Sequence, residues 1–449
     1  MKEFLRQIRA TSWPILLAML GLMAVGLLAL RTSAAADPAI REHFFKQMVF
    51  CCVGLGAFLA ATLVPYHRVG RLAYAMFALT LPLLVMLVVA KIARTELGGL
   101  LPRRNGAWRW IHLGIFDIQP SEIAKLTFII MLAWYLRLRD NYRTLRGLVV
   151  PFVLTFVPMG LILLEPDLGT SLLLLPTLYA MLFLAGARLK HLLGIVAVAT
   201  VLLFLPVPHK LSPALDTDEK LDRRSLAYMT IASGDGEYLL SAAPLAVMEQ
   251  HQVSRVVGWL RQDDPRVIQG KGYQLHKSKL ALAAGGWSGG ETDPVGDAPA
   301  DEADAAELLP MLLPLLPDDH TDFIFSVVGG RWGLAGCLAL LGLYGVIFVF
   351  GAEIAVVTRD PFGRMLAVGV LGLLLAQIFI NVGMATGLLP VTGMTLPLVS
   401  YGGSSLVVNC AALGLLVNVG QHRPISLARS PFEFGRRREK ALAREAMTR

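Results

Sequence analysis

About ten separate apolar runs divide this sequence, near 13–30, 47–64, 72–90, 121–136, 147–164, 168–185, 191–207, 323–350, 366–387 and 396–419. Each is about as long as a helix needs to be to cross a bilayer. The composition agrees, because 55% of the 449 residues are hydrophobic and only 16% are charged. The chain therefore reads as an all-α polytopic membrane protein of about ten transmembrane helices. The basic start and the small residues at Ala34 to Ala36 resemble a cleavable signal peptide. The run from Trp13 to Leu30 is nevertheless as long as a span and longer than a usual signal core, so a retained first helix is expected.

Charge orients the spans. With a cytoplasmic N-terminus, the inside segments hold Arg68 and Arg71, then Arg137, Arg139, Arg143 and Arg146, then Arg188 and Lys190, then Arg359 and Arg364, and finally the tail GRRREKALAREAMTR. The turns at 165–167 and 388–395 hold no basic residue, as positive-inside loops require. Both termini are then cytoplasmic. One outside segment, 91–120, runs against the rule with Lys91, Arg94, Arg103, Arg104 and Arg109. The net charge of +8 lies largely in membrane-flanking loops and the tail, which reads as contact with anionic membrane lipids and not as a nucleic-acid surface. Cys51, Cys52, Cys337 and Cys410 lie in apolar runs without C-x-x-C spacing or a nearby His, so neither a disulfide framework nor a metal site is signalled.

Four regions follow. Residues 1–207 hold helices 1–7, 208–322 form a large extracytoplasmic loop between helices 7 and 8, 323–420 hold helices 8–10, and 421–449 form a basic tail. Within the loop, SAAPLAVMEQHQVSRVVGWLRQ and YQLHKSKLALAAGG are predicted to be helical, the second stopped by Gly285. Within an acidic insert near 286–307, the stretch GGETDPVGDAPADEADAAE holds Gly and Pro and no aromatic residue and is predicted to be disordered. Pro310, Pro314 and Pro317 prevent a regular helix in LLPMLLPLLP. No internal repeat is evident.

Charged residues at the ends of the apolar runs are the candidates for chemistry, since a charge inside the bilayer is costly. Asp322 stands just before the apolar run that opens at Phe323, in LPDDHTDFIF; it is placed either to cap that helix, as Thr321 is, or to act as a general base at the membrane edge. Asp167, in EPDLGTSL, is likewise a helix cap or an outward carboxylate able to bind a cation or a sugar hydroxyl. In WRWIHLGIFDIQPSEIAKL, Trp108 and Trp110 suit an aromatic belt, Arg109 suits bidentate contact with a pyrophosphate, and Ser121 is expected to cap the fourth span. Lys125 is expected to pair with Glu122 at i,i+3 or to hold a lipid pyrophosphate. Pro390, Gly393, Pro397, Gly402 and Gly403 break helical structure at membrane depth, which implies a lined cavity.

Together WRWIHLGIFDIQPSEIAKL, EPDLGTSL, SKLALAAGG, LPDDHTDFIFSVVG and NVGMATGLLPVTGMTLPLVSYGGSS resemble the SEDS family, the RodA, FtsW and SpoVE proteins, over most of the chain and in the right order. Within it, NVGMATGLLPVTG looks more like RodA. The resemblance implies a peptidoglycan glycosyltransferase of the bacterial cytoplasmic (inner) membrane that polymerises lipid II in cell-wall elongation, cell-shape maintenance or division. Its partner would be a class B penicillin-binding protein, and undecaprenyl pyrophosphate its leaving group. By the same resemblance Asp322 is the catalytic carboxylate, and Arg109, Lys125, Asp167, His320 and Ser404 are the substrate-binding residues. Asp167 is also a candidate ligand for a divalent cation.

The chain departs from the family pattern at several points, among them Lys277, which stands where Gln is common before SK, and an outer loop extended near 213–245. VVGGRWG, with Gly330 and Arg331, stands where an acidic GEE-like stretch is usual, and GGWSGGETDP lacks the Lys of the usual GKG stretch. Two other classes of function stay open at this point. One is a carrier moving lipid II between leaflets, and the other is a non-catalytic scaffold for a penicillin-binding protein.

Overall fold

The computed structural model describes residues 2–36, 38–94, 99–103, 107–114, 117–139, 141–212, 217–233, 236–243, 248–289 and 321–422. The basic tail, the proline-rich run, nearly all of the acidic insert, Arg104 and the candidate His320 lie outside them.

Among the described residues, eight helices are long and apolar enough to cross a membrane. They are α1 (Lys2–Ala36), α2 (Pro38–Leu63), α4 (Ala73–Ala93), α6 (Leu145–Leu164), α7 (Leu168–Ala185), α13 (Ile324–Val357), α14 (Pro361–Ala385) and α15 (Gly403–Gln421). The other two expected spans are shorter, with 17 residues in α5 (Pro120–Leu136) and 15 in α8 (Leu189–Leu203). A six-residue helix, α3 (Tyr66–Arg71), links α2 to α4. Burial separates the two short helices. Most of α5 is buried, because α4, α6, α7, α14 and α15 all pack around it. In α8 only Leu192 is buried, and α7 is its main neighbour.

The longest helix is broken. In α13, Gly333 adopts φ 62° and ψ −163°, a conformation that favours glycine. The amides that follow the break find partners outside the helix: Leu334 N–H donates to the Gly286 carbonyl (2.9 Å) and Ala335 N–H to that of Trp287 (3.0 Å). A Cβ on Gly285 would overlap the Gly329 carbonyl, and one on Gly289 would overlap that of Arg331. Two of the stretches that depart from the family pattern therefore pack backbone against backbone.

Between α8 and α13 the chain builds a layer on one side of the bundle, called here the loop side. An antiparallel sheet in the order β3-β5-β4 joins β3 (Pro206–Leu211), β4 (Met229–Ser233) and β5 (Gly236–Ala242), with Val207 opposite Ser241 and Ile231 opposite Tyr238. Helices α9 (Thr217–Ser225), α10 (Gln250–Leu260), α11 (Pro265–Ile268) and α12 (Tyr273–Ala284) complete it. The two helices expected in the loop are present as α10 and α12. The strands were not expected. The seventh span ends at Leu203 and not near 207, because Pro206 and Pro208 belong to β3. The tenth begins at Gly403 and not near 396, because residues 388–402 are not helical.

Candidate active site

A cavity of about 460 Å³ opens on the loop side, and Arg109, Lys125, Asp167, Asp322 and Ser404 all line it. These side chains come from five segments far apart in sequence, gathered where α5, α7, α13 and α15 begin.

Asp322 precedes α13, whose N-cap is Phe323, with no side-chain cap. The capping expectation for Thr321 and Asp322 is thus not met, and the half-buried Asp322 carboxylate lines the cavity instead. The neighbouring wall is the non-helical segment 388–402, whose polar backbone is satisfied by the surrounding protein. Leu396 N–H donates to Ser400 Oγ (2.8 Å), and Gln47 Nε2 to the Ser400 carbonyl (3.1 Å). The Tyr344 hydroxyl donates to the Pro397 carbonyl. Such pairing is what permits irregular backbone at this depth.

Asp167 does two things at once. Its Oδ1 accepts from Thr170 N–H (3.2 Å) and caps α7, while Oδ2 accepts from Gln119 Nε2 (3.0 Å) on the cavity wall. Ser121 does not cap α5, where Gln119 is the N-cap and Pro120 holds the first position, which suits a residue without an N–H. Ser121 Oγ instead lies 3.4 Å from Asp167 Oδ2. Among the described residues no three His, Cys, Asp or Glu side chains cluster as metal ligands around Asp167 or elsewhere.

Lys125 pairs with Glu122 across one turn (2.8 Å), and both side chains are almost fully buried. The guanidinium of Arg109 grips the preceding turn: Nε donates to the Glu165 carbonyl (3.2 Å) and Nη2 to that of Pro166. Ser404 Oγ donates to the Asp117 carbonyl (2.7 Å) and accepts from Gln119 N–H (3.1 Å), so it stitches α15 to the hairpin of β1 (Ile111–His112) and β2 (Asp117–Ile118). Trp108 is buried against Leu87, Leu101 and Ile111 and so is not a belt residue, whereas Trp110 faces the cavity.

Glu165, in the turn between α6 and α7, is 1% exposed, and neither carboxylate oxygen has a hydrogen-bond partner. Burial, reinforced by the Asp167 charge and only partly opposed by Arg109, pushes its carboxyl up to about 9. It is neutral at pH 7.

Sequence reasoning missed Arg255 and Gln377, both of which line the cavity. Arg255 comes from α10. A Cβ built on Gly393 would lie 2.8 Å from Arg255 Nη1 and 3.4 Å from Asp322 Oδ2, so the two charged groups converge on one point. The available cue was an Arg between Val253 and Val257, the buried face of a loop helix.

Comparison with known proteins finds relatives over most of the chain. The FtsW/RodA/SpoVE cell cycle protein model matches residues 10–212 and 224–424. A probable peptidoglycan glycosyltransferase FtsW of Pseudomonas fluorescens is 30% identical over 433 residues, covering 94% of this chain and 91% of that protein. The peptidoglycan glycosyltransferase RodA of Treponema pallidum is also 30% identical, covering 90% of this chain and 96% of that protein. Among solved structures, one of a peptidoglycan synthase complex that coordinates polymerization and crosslinking superposes with a TM-score of 0.68 at 27% identity, covering 93% of this chain and all of the matched one.

Proposed function

The chain belongs to the FtsW/RodA/SpoVE family of cell cycle proteins, and from that membership we infer that it is a peptidoglycan glycosyltransferase acting on lipid II. The observation that carries the reading furthest is Asp322, a carboxylate just before a helix whose N-cap is Phe323, lining a cavity with Lys125, Arg109, Arg255 and Asp167. An acidic group in that position suits a general base.

In this reading the Asp322 carboxylate takes the proton from the acceptor sugar's 4-hydroxyl. That oxygen attacks the anomeric carbon of the lipid-linked donor as the bond to the pyrophosphate oxygen breaks, inverting the configuration. The electron pair leaves on undecaprenyl pyrophosphate, whose charge is met by Arg255, Lys125 and Arg109. Lys125 is also paired with Glu122 and Arg109 with backbone carbonyls of the turn before α7, while Arg255 stands beside the Asp322 carboxylate. The neutral Gln119, Gln377 and Ser404 shape the wall. His320, two residues before Asp322, remains a candidate on the motif alone.

The protein is a multi-pass membrane protein. Its orientation, with both termini in the cytoplasm of the bacterial inner membrane and the cavity facing outward, rests on the charge of the loops. A class B penicillin-binding protein is the proposed partner, supported by likeness to a synthase complex. The relatives named FtsW and RodA match at the same identity, so an elongation role rests on the NVGMATGLLPVTG stretch.

Lipid II polymerisation by the purified protein, with and without that partner, tests the reading. Polymer from the wild type and none from a folded Asp322→Asn variant is the expected result. No polymer from either protein, even with the partner, would move the function to carrier or scaffold.

A further inference from the structure

We propose that Asn381, buried in α14, is the positioning residue for Asp322. The proposal rests on the reading of Asp322 as the base.

Asn381 is 0% exposed, and its side-chain amide reaches two separate chain segments. Nδ2 donates to the Asp322 carbonyl (3.0 Å) and to the Met394 carbonyl (2.6 Å), while Oδ1 has no partner. Both bonds hold main chain and leave the Asp322 side chain to the cavity. The two segments are joined in this way one residue from the point where Arg255 and the Asp322 carboxylate converge over Gly393.

The need for such a clamp follows from the chemistry of helix starts. An Asp immediately before a helix has a local, competing use for its carboxylate, because the first amides of the helix lack partners and Asp is among the best caps. Here the N-cap position falls to Phe323, whose side chain makes no cap, and Asp322 lines the cavity. Pinning the Asp322 carbonyl from α14 fixes the backbone on the side away from capping and directs the carboxylate to the cavity. Pinning Met394 with the same nitrogen sets the opposing wall at a fixed distance. Donors are what both contacts require, and the unpartnered Oδ1 indicates that the amide is kept for its N–H groups.

A nearby control exists. Ser278, 0% exposed in α12, donates to the Ala385 carbonyl at the loop-side end of the same helix (2.7 Å) without contacting Asp322 or Met394. The test measures kcat and KM for lipid II with the full-length protein and its partner, for the wild type, Asn381→Ala, Ser278→Ala and Asp322→Asn. Asn381→Ala is expected to lower kcat at least tenfold with KM within twofold, and Ser278→Ala to leave both within threefold. Asn381→Asp, of the same volume with fewer donors, replaces the alanine variant if that one fails to fold, and is expected to behave the same way. A kcat within threefold for the Asn381 variant, or an equal loss in Ser278→Ala, overturns the clamp. If Asn381→Ala turns over while Asp322→Asn does not, only the clamp fails. If Asp322→Asn turns over normally, the base reading fails and the clamp fails with it.

Discussion

Lys125 Nζ stands 2.8 Å from Glu122 Oε1 inside the bundle, with side-chain exposures of 1% and 6%. Oε2 of the same glutamate has no partner. A buried pair is poor evidence of net stabilisation, yet removing one member leaves an uncompensated charge and typically costs about 3–5 kcal/mol. Lys125→Met is therefore expected to lower the melting midpoint in detergent and abolish turnover. Lys125→Met combined with Glu122→Gln should regain most of the stability but not the activity. Recovery of both would assign the pair to structure alone.

Asp322 and Asp167 separate cleanly by stability. Because the N-cap of α13 is Phe323 and not Asp322, Asp322→Ala should leave stability within about 0.5 kcal/mol while turnover drops by a factor of roughly 10² to 10⁴. Asp167→Ala removes the cap of α7 and the acceptor for Gln119, and should cost about 1–2 kcal/mol. Chemical unfolding of the two variants side by side checks this. Equal destabilisation would mean that Asp322 supports its helix after all.

Glu165 makes stability depend on pH. Its carboxyl is raised to about 9 in the folded protein by burial, from an ordinary value of 4.5. The folded state holds a proton that the unfolded state releases above pH 4.5, so this contribution is fully present below 4.5, declines as pH rises, and is gone above about 9. Glu165→Gln, which copies the neutral form, should flatten the decline of the melting midpoint between pH 5 and 9. An unchanged slope would show that the carboxyl is charged in the fold.

The glycine junction resists side chains. A Cβ on Gly333 would crowd Gly289 and Trp287, and φ of 62° is itself unfavourable for other residues. Gly333→Ala should cost about 1–3 kcal/mol. Limited proteolysis after residue 285 should speed up in the variant, since α13 and the following loop would lose their shared hydrogen bonds. Unaltered proteolysis would mean the junction tolerates the methyl group.

Much of this fold was legible because hydropathy is a strong and local signal. The spans, α10 and α12 follow from runs and spacing of apolar residues, whereas the gathering of Arg109, Lys125, Asp167 and Asp322 was expected from the family resemblance, and only the break at 388–402 was legible in the residues themselves. The sheet was not legible: PVPHKL, with two prolines, does not read as a strand, and its pairing with GEYLLSA depends on residues 26 to 36 positions away. The family model skips 213–223, where α9 begins, so the resemblance carried no expectation there. Which reading of an acidic residue holds was also out of reach. EPDLG and HTDFI look alike as cap sites, and what separates them is a distant amide on α14 that pins one backbone and not the other.

The shortness of α8 changes the membrane around it. Its 15 residues rise about 22 Å, against a hydrocarbon core of roughly 30 Å, and almost all of its surface is left to lipid. A helix shorter than the hydrocarbon core is met by thinning of the bilayer, snorkelling of flanking residues or association with another subunit. Since α6 and α14 are longer, a bilayer crossed by α8 is expected to be thinnest on one flank, beside the helix least bound to the rest.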